Sequence, residues 1–194
     1  VQDEKKAGVS GSEDRKCRPA RWQDVGGKSK AQQGKRALRP YVEVLFGKEE
    51  DFTAALGYEV TGADENLAHL EHGDFQAMMK KVKTEFPNVA VVAVTLRTAK
   101  SANRNDWGAM ALADDTIYEA GARKDLEIYD RVGGGDSFAS GLIYGLLEGR
   151  EIGWAVECGV AHGALAMTTP GDTSMASAQE VFALMKGQNA RSSR

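Results

Sequence analysis

Cysteine is scarce in this sequence: two residues in 194, Cys17 and Cys158, far apart in the chain. That spacing forms neither a metal-ligand pattern nor a redox pair, and reduced thiols are the expectation. Long apolar runs are missing too. No stretch approaches the ~20 residues a membrane-crossing helix needs, and no signal peptide opens the sequence. An excess of one charge is also absent, since 25 basic and 28 acidic residues are interspersed for a net −3. Such a balance leaves no basic footprint for nucleic acid. The expectation is a cytoplasmic protein with reduced thiols and neither nucleic-acid nor membrane partners.

What is present is globular. The hydrophobic fraction of 42% over 194 residues fits one domain with a sizeable core. Glycine is plentiful, 22 residues, against a usual share of about 7%. Many fall between 133 and 163, where Asp130-Arg131-Val132-Gly133-Gly134-Gly135-Asp136-Ser137-Phe138 holds three in succession. Glycines there allow positive φ and close approach of successive N–H groups to a ligand. Phe138, Leu142 and Leu146, with Ile143 and Leu147, recur at helical spacing behind them. A glycine loop opening a helix is an anion site, because unpaired N–H groups and the helix dipole point at one place. Asp136 stands beside that place and suits proton removal from a hydroxyl attacking a phosphoryl group. The same residues also suit a tight strand-to-helix turn with an N-capping Asp.

Elsewhere strands alternate with helices, which predicts an α/β layer architecture with a mostly parallel sheet. The opening residues 1–8 read as the last turns of a helix stopped at Gly8. Tyr41–Phe46 is a β-prone alternating run, followed by a helix that opens at Gly47–Phe52. Residues 61–73 read as a polar loop. Met78, Met79, Val82 and Phe86 share one face of a helix over 75–86. Val89–Leu96 suits a strand buried on both faces. Residues 97–106 read as a polar loop, and Trp107–Leu112 as a strand ending in a turn at Asp114-Asp115. Trp154–Met167 reads as a helix with small residues at Ala155, Gly159, Gly163 and Ala166. Ala178–Met185 is a short amphipathic helix, and 187–194 a frayed tail.

The segment Asp130–Phe138, with Ala139-Ser140-Gly141, resembles the C-terminal signature of the ribokinase-like (PfkB) carbohydrate kinases, usually Asp-Thr-x-Gly-Ala-Gly-Asp-x-Phe. Arg131 stands for the usual Thr and Gly134 for the usual Ala. This variant, and Thr95-Leu96-Arg97-Thr98-x-Lys100-Ser101-Ala102-x-x-Asn105-Asp106-Trp107, resemble the 2-keto-3-deoxygluconate kinase branch. The resemblance runs over roughly residues 14–192. It implies a three-layer α/β/α fold with the N-terminal part and lid missing, so that 1–194 is the C-terminal, nucleotide-binding portion.

The resemblance also implies roles. Asp136 is the general base, and Gly133, Gly134 and Gly135 hold the transferring phosphoryl group. Thr95 and Arg97 lie over the nucleotide phosphates, while Ala161, His162 and Thr168 border the adenine. Arg18 grips a substrate carboxylate, and Asp51 helps organise Mg²⁺. ATP and Mg²⁺ are the implied cofactors, a sugar acid the substrate, and a homo-oligomer an inherited expectation, since members commonly dimerise through the lid. Lys16 and Lys48 depart from Asn in the motifs Asp-x-Asn-x-Arg and Asn-x-x-Glu/Asp. A lysine accepts no hydrogen bond and competes with a cation, so an inert nucleotide-binding module, or a kinase of another sugar, stays open. Several residues have plainer readings as well: residues 9–18 as an exposed polar loop, Glu49-Glu50-Asp51 as charge favouring a helix start, 97–106 as a hairpin loop, and His162 as structural.

Overall fold

The computed structural model describes residues 33, 34, 36–48, 51, 52 and 72–187. In chain order, a 3-10 turn at Arg39–Tyr41 precedes β1 (Val44–Lys48), α1 (His72–Glu85), β2 (Val91–Ser101), β3 (Arg104–Ala113) and β4 (Thr116–Glu127). Three helices follow: α2 (Gly134–Leu147), α3 (Ile152–Met167) and α4 (Ala178–Met185). The α/β architecture expected from the sequence is what forms.

The strands are hydrogen-bonded in the order β1-β2-β3-β4. The starts of β1 and β2 lie together, because the N–H groups of Ala90 and Val91 both donate to the Glu43 carbonyl at 2.7 and 3.2 Å. Two strands whose beginnings abut run parallel, and such a pair needs a crossover, here the one containing α1. The next two connections have two residues each, Ala102-Asn103 and Asp114-Asp115. Turns that short join only antiparallel neighbours. The described part of the sheet is therefore mixed. Asp114 and Asp115 take φ of 46° and 60°, the pair of left-handed residues that matches hairpin twist.

Two sequence expectations need correction. Residues 97–106 are not a loop: β2 runs on to Ser101 and β3 begins at Arg104. Ion pairs replace apolar burial there, with Lys100 Nζ 2.9 Å from Asp106 and Arg104 Nη1 2.6 Å from Asp125. The first strand also starts later than Tyr41, because Pro40 sits in the preceding turn.

The described residues fall into two compact units: those up to Val94 with Leu112–Ile117, and Thr95–Ala111 with those from Tyr118 onward. The first is packed with bulky side chains. Phe75, Met78, Met79, Val82 and Phe86 of the α1 region are buried, as are Leu45, Phe46 and the continuous run Val91–Val94.

The second unit is built around α2 and α3, whose backbones come into contact. A Cβ at Gly141 would stand 2.7 Å from the Cys158 carbonyl oxygen, and one at Gly159 2.7 Å from that of Phe138. Both distances are below any normal carbon contact, so only glycine fits. The indole of Trp107 donates to the Val160 carbonyl at 3.1 Å, tying β3 to α3. On β4, the Gly121 N–H donates to Glu157 Oε2 at 3.2 Å, and Arg123 pairs with the same carboxylate. A capping box starts α4: the Glu180 N–H donates to Ser177 Oγ at 3.3 Å, and the Ser177 N–H to Glu180 Oε2 at 2.9 Å. Val181 then joins Cys158, Ala161 and Leu165 in a core cluster. Among the described residues, no helix is long and apolar enough to cross a membrane.

Candidate active site

The glycine loop is held from both sides. Ahead of it, the Ile128 N–H donates to the Asn103 carbonyl at 2.8 Å, and the Tyr129 N–H to the Met167 carbonyl at 2.9 Å. The Arg131 side chain donates to the Ala102 carbonyl. Asp130 Oδ1 accepts from the Val132 N–H at 2.9 Å, turning the chain toward the helix. Gly133 then takes φ 84°, the left-handed region. A Cβ there would collide with the Asp172 carbonyl oxygen, so sterics and backbone angle both demand glycine.

No side chain caps α2. The Ser137 N–H donates to the Gly133 carbonyl at 2.9 Å, leaving the first helical N–H groups ahead of it without an intrahelical acceptor. A Cβ on Gly134 would press on Met167 Cγ at 2.8 Å, and one on Gly163 on the Gly134 carbonyl at 2.8 Å. The loop thus lies flat on the last turns of α3. A capless helix start with a bare backbone fits a phosphate: dipole and N–H groups converge, and no Cβ stands between. Asp136, in the first turn, is exposed beside it.

The residues expected to border a nucleotide divide. His162 lies between Ala161 and Gly163 on α3, with Nε2 2.9 Å from Ser174 Oγ. Burial lowers its pKa below the ordinary 6.5, and a hydrogen bond with the Ser137 backbone opposes that shift. His162 thus lies near Ser137 in the first turn of α2, the residue after Asp136. Thr168 caps α3; its hydroxyl donates back to the Ala164 carbonyl at 3.0 Å. Ala161 is fully buried in the cluster with Cys158, Leu165 and Val181. Thr95 is half-buried and Arg97 exposed, on one face of β2 by strand alternation.

Asp51 belongs to the first unit, where its Oδ2 accepts the Lys48 N–H at 2.9 Å and closes the turn after β1. Among the described residues, no group of three or more His, Cys, Asp or Glu side chains is placed to hold a metal. A lone carboxylate fits Mg²⁺ only through the ion's retained waters. Arg18 and Lys16 lie outside the described residues.

Sequence reasoning missed Met167, Asp172, Ser137 and Ser174 as the loop's supports. None carries a motif of its own, and only the glycines they face hinted at them.

Comparison with known proteins decides the family. The model of the pfkB family carbohydrate kinases matches residues 5–179. The chain belongs to that family. It is 29% identical over 162 residues to a 2-dehydro-3-deoxygalactonokinase of Haloferax volcanii, covering 84% of this chain and 44% of the relative. Among solved structures, it matches the 2-dehydro-3-deoxygluconokinase of Thermotoga maritima with a TM-score of 0.75 and 33% identity, over 82% of this chain and 46% of that one. The nucleoside kinase of Methanocaldococcus jannaschii, 16% identical, shares the fold, with a TM-score of 0.55 over 81% of this PfkB chain and 44% of its own. The chain thus spans less than half the length of these proteins.

Proposed function

We propose that this PfkB chain carries the phosphoryl-transfer portion of an ATP-dependent sugar-acid kinase, converting 2-keto-3-deoxygluconate to its 6-phosphate in the cytoplasm. The observation that carries the reading is the uncapped, glycine-only start of α2 with Asp136 in its first turn. The N–H groups of Gly133, Gly134 and Gly135 would bind charge on the phosphoryl oxygens, where fixed dipoles cost no reorganisation as charge develops. Asp136 would accept the proton of the attacking terminal hydroxyl. Thr95, Arg97, His162 and Thr168 would border the nucleotide, and Ala161 would support that border from within the core. Arg18 would pair with the substrate carboxylate, for which a guanidinium is the matching fork. Asp51 would hold Mg²⁺ through water; the ion supplies charge neutralisation between the phosphates. Two relatives are named for kinases of 2-dehydro-3-deoxy sugar acids, which supports this substrate class. A homo-oligomer is proposed with the same reading.

The test is ATP consumption with 2-keto-3-deoxygluconate, its galactonate epimer, fructose and ribose, on material of known intact mass. Asp136→Asn should keep nucleotide binding and lose ~10²-fold or more in turnover, the usual scale of general-base loss. Retained turnover would remove Asp136 from the mechanism.

A second reading, a nucleotide-binding module without turnover, is favoured by Lys48 at the end of β1, where its positive charge would compete with a cation. Nucleotide binding without consumption of any sugar would establish it.

A further inference from the structure

Asn105 is the one described residue whose buried side chain has no partner. It is fully buried, and neither its Nδ2 nor its Oδ1 makes a hydrogen bond. Buried amides are nearly always paired, so an exception asks what supplies the partner: water, an ion, or a main-chain group brought within reach. Its place in the second unit is well bracketed. Asn105 stands two residues before Trp107 on β3 and therefore on the same sheet face. Trp107 holds the Val160 carbonyl, and the Gly163 that packs on its ring packs also on the Gly134 carbonyl. Two residues before Asn105, the Asn103 carbonyl takes the Ile128 N–H, and the next residue, Tyr129, binds Met167 at the end of α3. Asn105 thus sits on β3 between Asn103 and Trp107, each of which is bonded to an element that holds the glycine loop.

That segment has slack. The Met167 carbonyl is shared by the Tyr129 N–H at 2.9 Å and the Asp130 N–H at 3.4 Å, and the second is near the limit of a hydrogen bond. A side-chain amide offers both a donor and an acceptor, the complement of a main-chain peptide group.

We infer that Asn105 is a positioning residue whose amide pairs with a main-chain group of Asp130–Gly134 when a phosphate occupies the loop. The inference rests on the reading of that loop as a phosphate site. With a phosphate in place, the amide fixes the loop that presents Asp136. Occupancy and loop order are then coupled through one buried side chain.

The decisive measurement is NMR of the full chain with ADP as probe, following solvent exchange of the Asn105 side-chain amide. Exchange should slow at least tenfold when ADP binds. Slowing elsewhere with Asn105 unchanged would overturn the inference and leave the phosphate site standing. No response at any resonance would overturn the phosphate site, and the inference with it. Asn105→Leu gives an independent reading, because it removes the unmatched amide at similar volume. The ligand-free protein should melt no lower than the original, while the increase in Tm on adding ADP should shrink by at least half. A lower ligand-free Tm with an unchanged ADP increase would mean that the amide is already paired, and would reject the coupling.

Discussion

The two units of this molecule solve the packing problem by different means. The first fills its interior with side chains: Phe75, Met78, Met79, Val82 and Phe86 beside the valines of β2. The second brings α2 and α3 together until backbone meets backbone at Gly141 and Gly159. A core of flexible side chains absorbs small changes, whereas backbone contacts have no rotamer to give. The rigid arrangement is the one that carries the glycine loop. There α3 supports the loop through Met167 and Gly163, which suits the phosphate site proposed for it, since such a site needs its N–H groups held in advance of the ligand.

Substitution separates the two regimes. Gly133→Ala should have the largest effect, since left-handed strain of ~1–2 kcal/mol adds to a clash with the Asp172 carbonyl. A loss of about 3 kcal/mol, or roughly 6–12 °C in Tm for a chain of this size, is expected. A melting point within 2 °C of the original would show that the loop can move away. Gly141→Ala should follow, at ~1–3 kcal/mol, because its new methyl meets the Cys158 carbonyl and the Gly159 backbone. Met79→Leu, in the other core, should cost less than about 1.5 kcal/mol. If denaturant titration ranked Met79→Leu above Gly141→Ala, the contrast between the cores would be lost.

A smaller effect concerns pH. Burial lowers the His162 pKa, so the unfolded chain binds a proton that the folded one resists. Stability should therefore be full above the ordinary value of 6.5 and fall as pH drops through it toward the folded pKa. His162→Gln should flatten that part of the Tm profile; an unchanged slope would assign it to other groups. The smallest perturbation is chemical labelling. Burial pushes the Cys158 thiol up to about 11, so a Cys17→Ser chain should resist thiol reagents at neutral pH until it unfolds. Rapid labelling of folded protein would show that the second core opens locally.

Legibility followed physical signal. The α4 bounds were readable because Ser177 and Glu180 form a capping box before an apolar face. The loop and α2 were readable because three glycines before a helical apolar repeat have few other uses. Strand β4 went unread: Glu119, Gly121, Lys124 and Asp125 give no alternation of apolar and polar residues, since much of this strand faces solvent. Residues 97–101 resembled a loop for a similar reason, as ion pairs rather than burial hold that end of β2. For the site, the motif named Asp136 and its glycines but not what lies beneath them. Met167, Asp172 and Asn105 act through placement, which appears only once α3 and β3 are folded against the loop.

Trp107 gives the protein a built-in optical gauge. Its indole is 5% exposed, fixed to Val160, and packed on the Gly163 that also meets the Gly134 carbonyl. Emission from a ring so dry and so firmly anchored reports its immediate surroundings rather than the solvent. Any rearrangement that lifts the glycine loop from α3 alters those surroundings first. In a chain whose other two tryptophans, Trp22 and Trp154, are replaced by phenylalanine, a shift of the remaining emission would report the loop lifting from α3, without a dye attached anywhere on the chain.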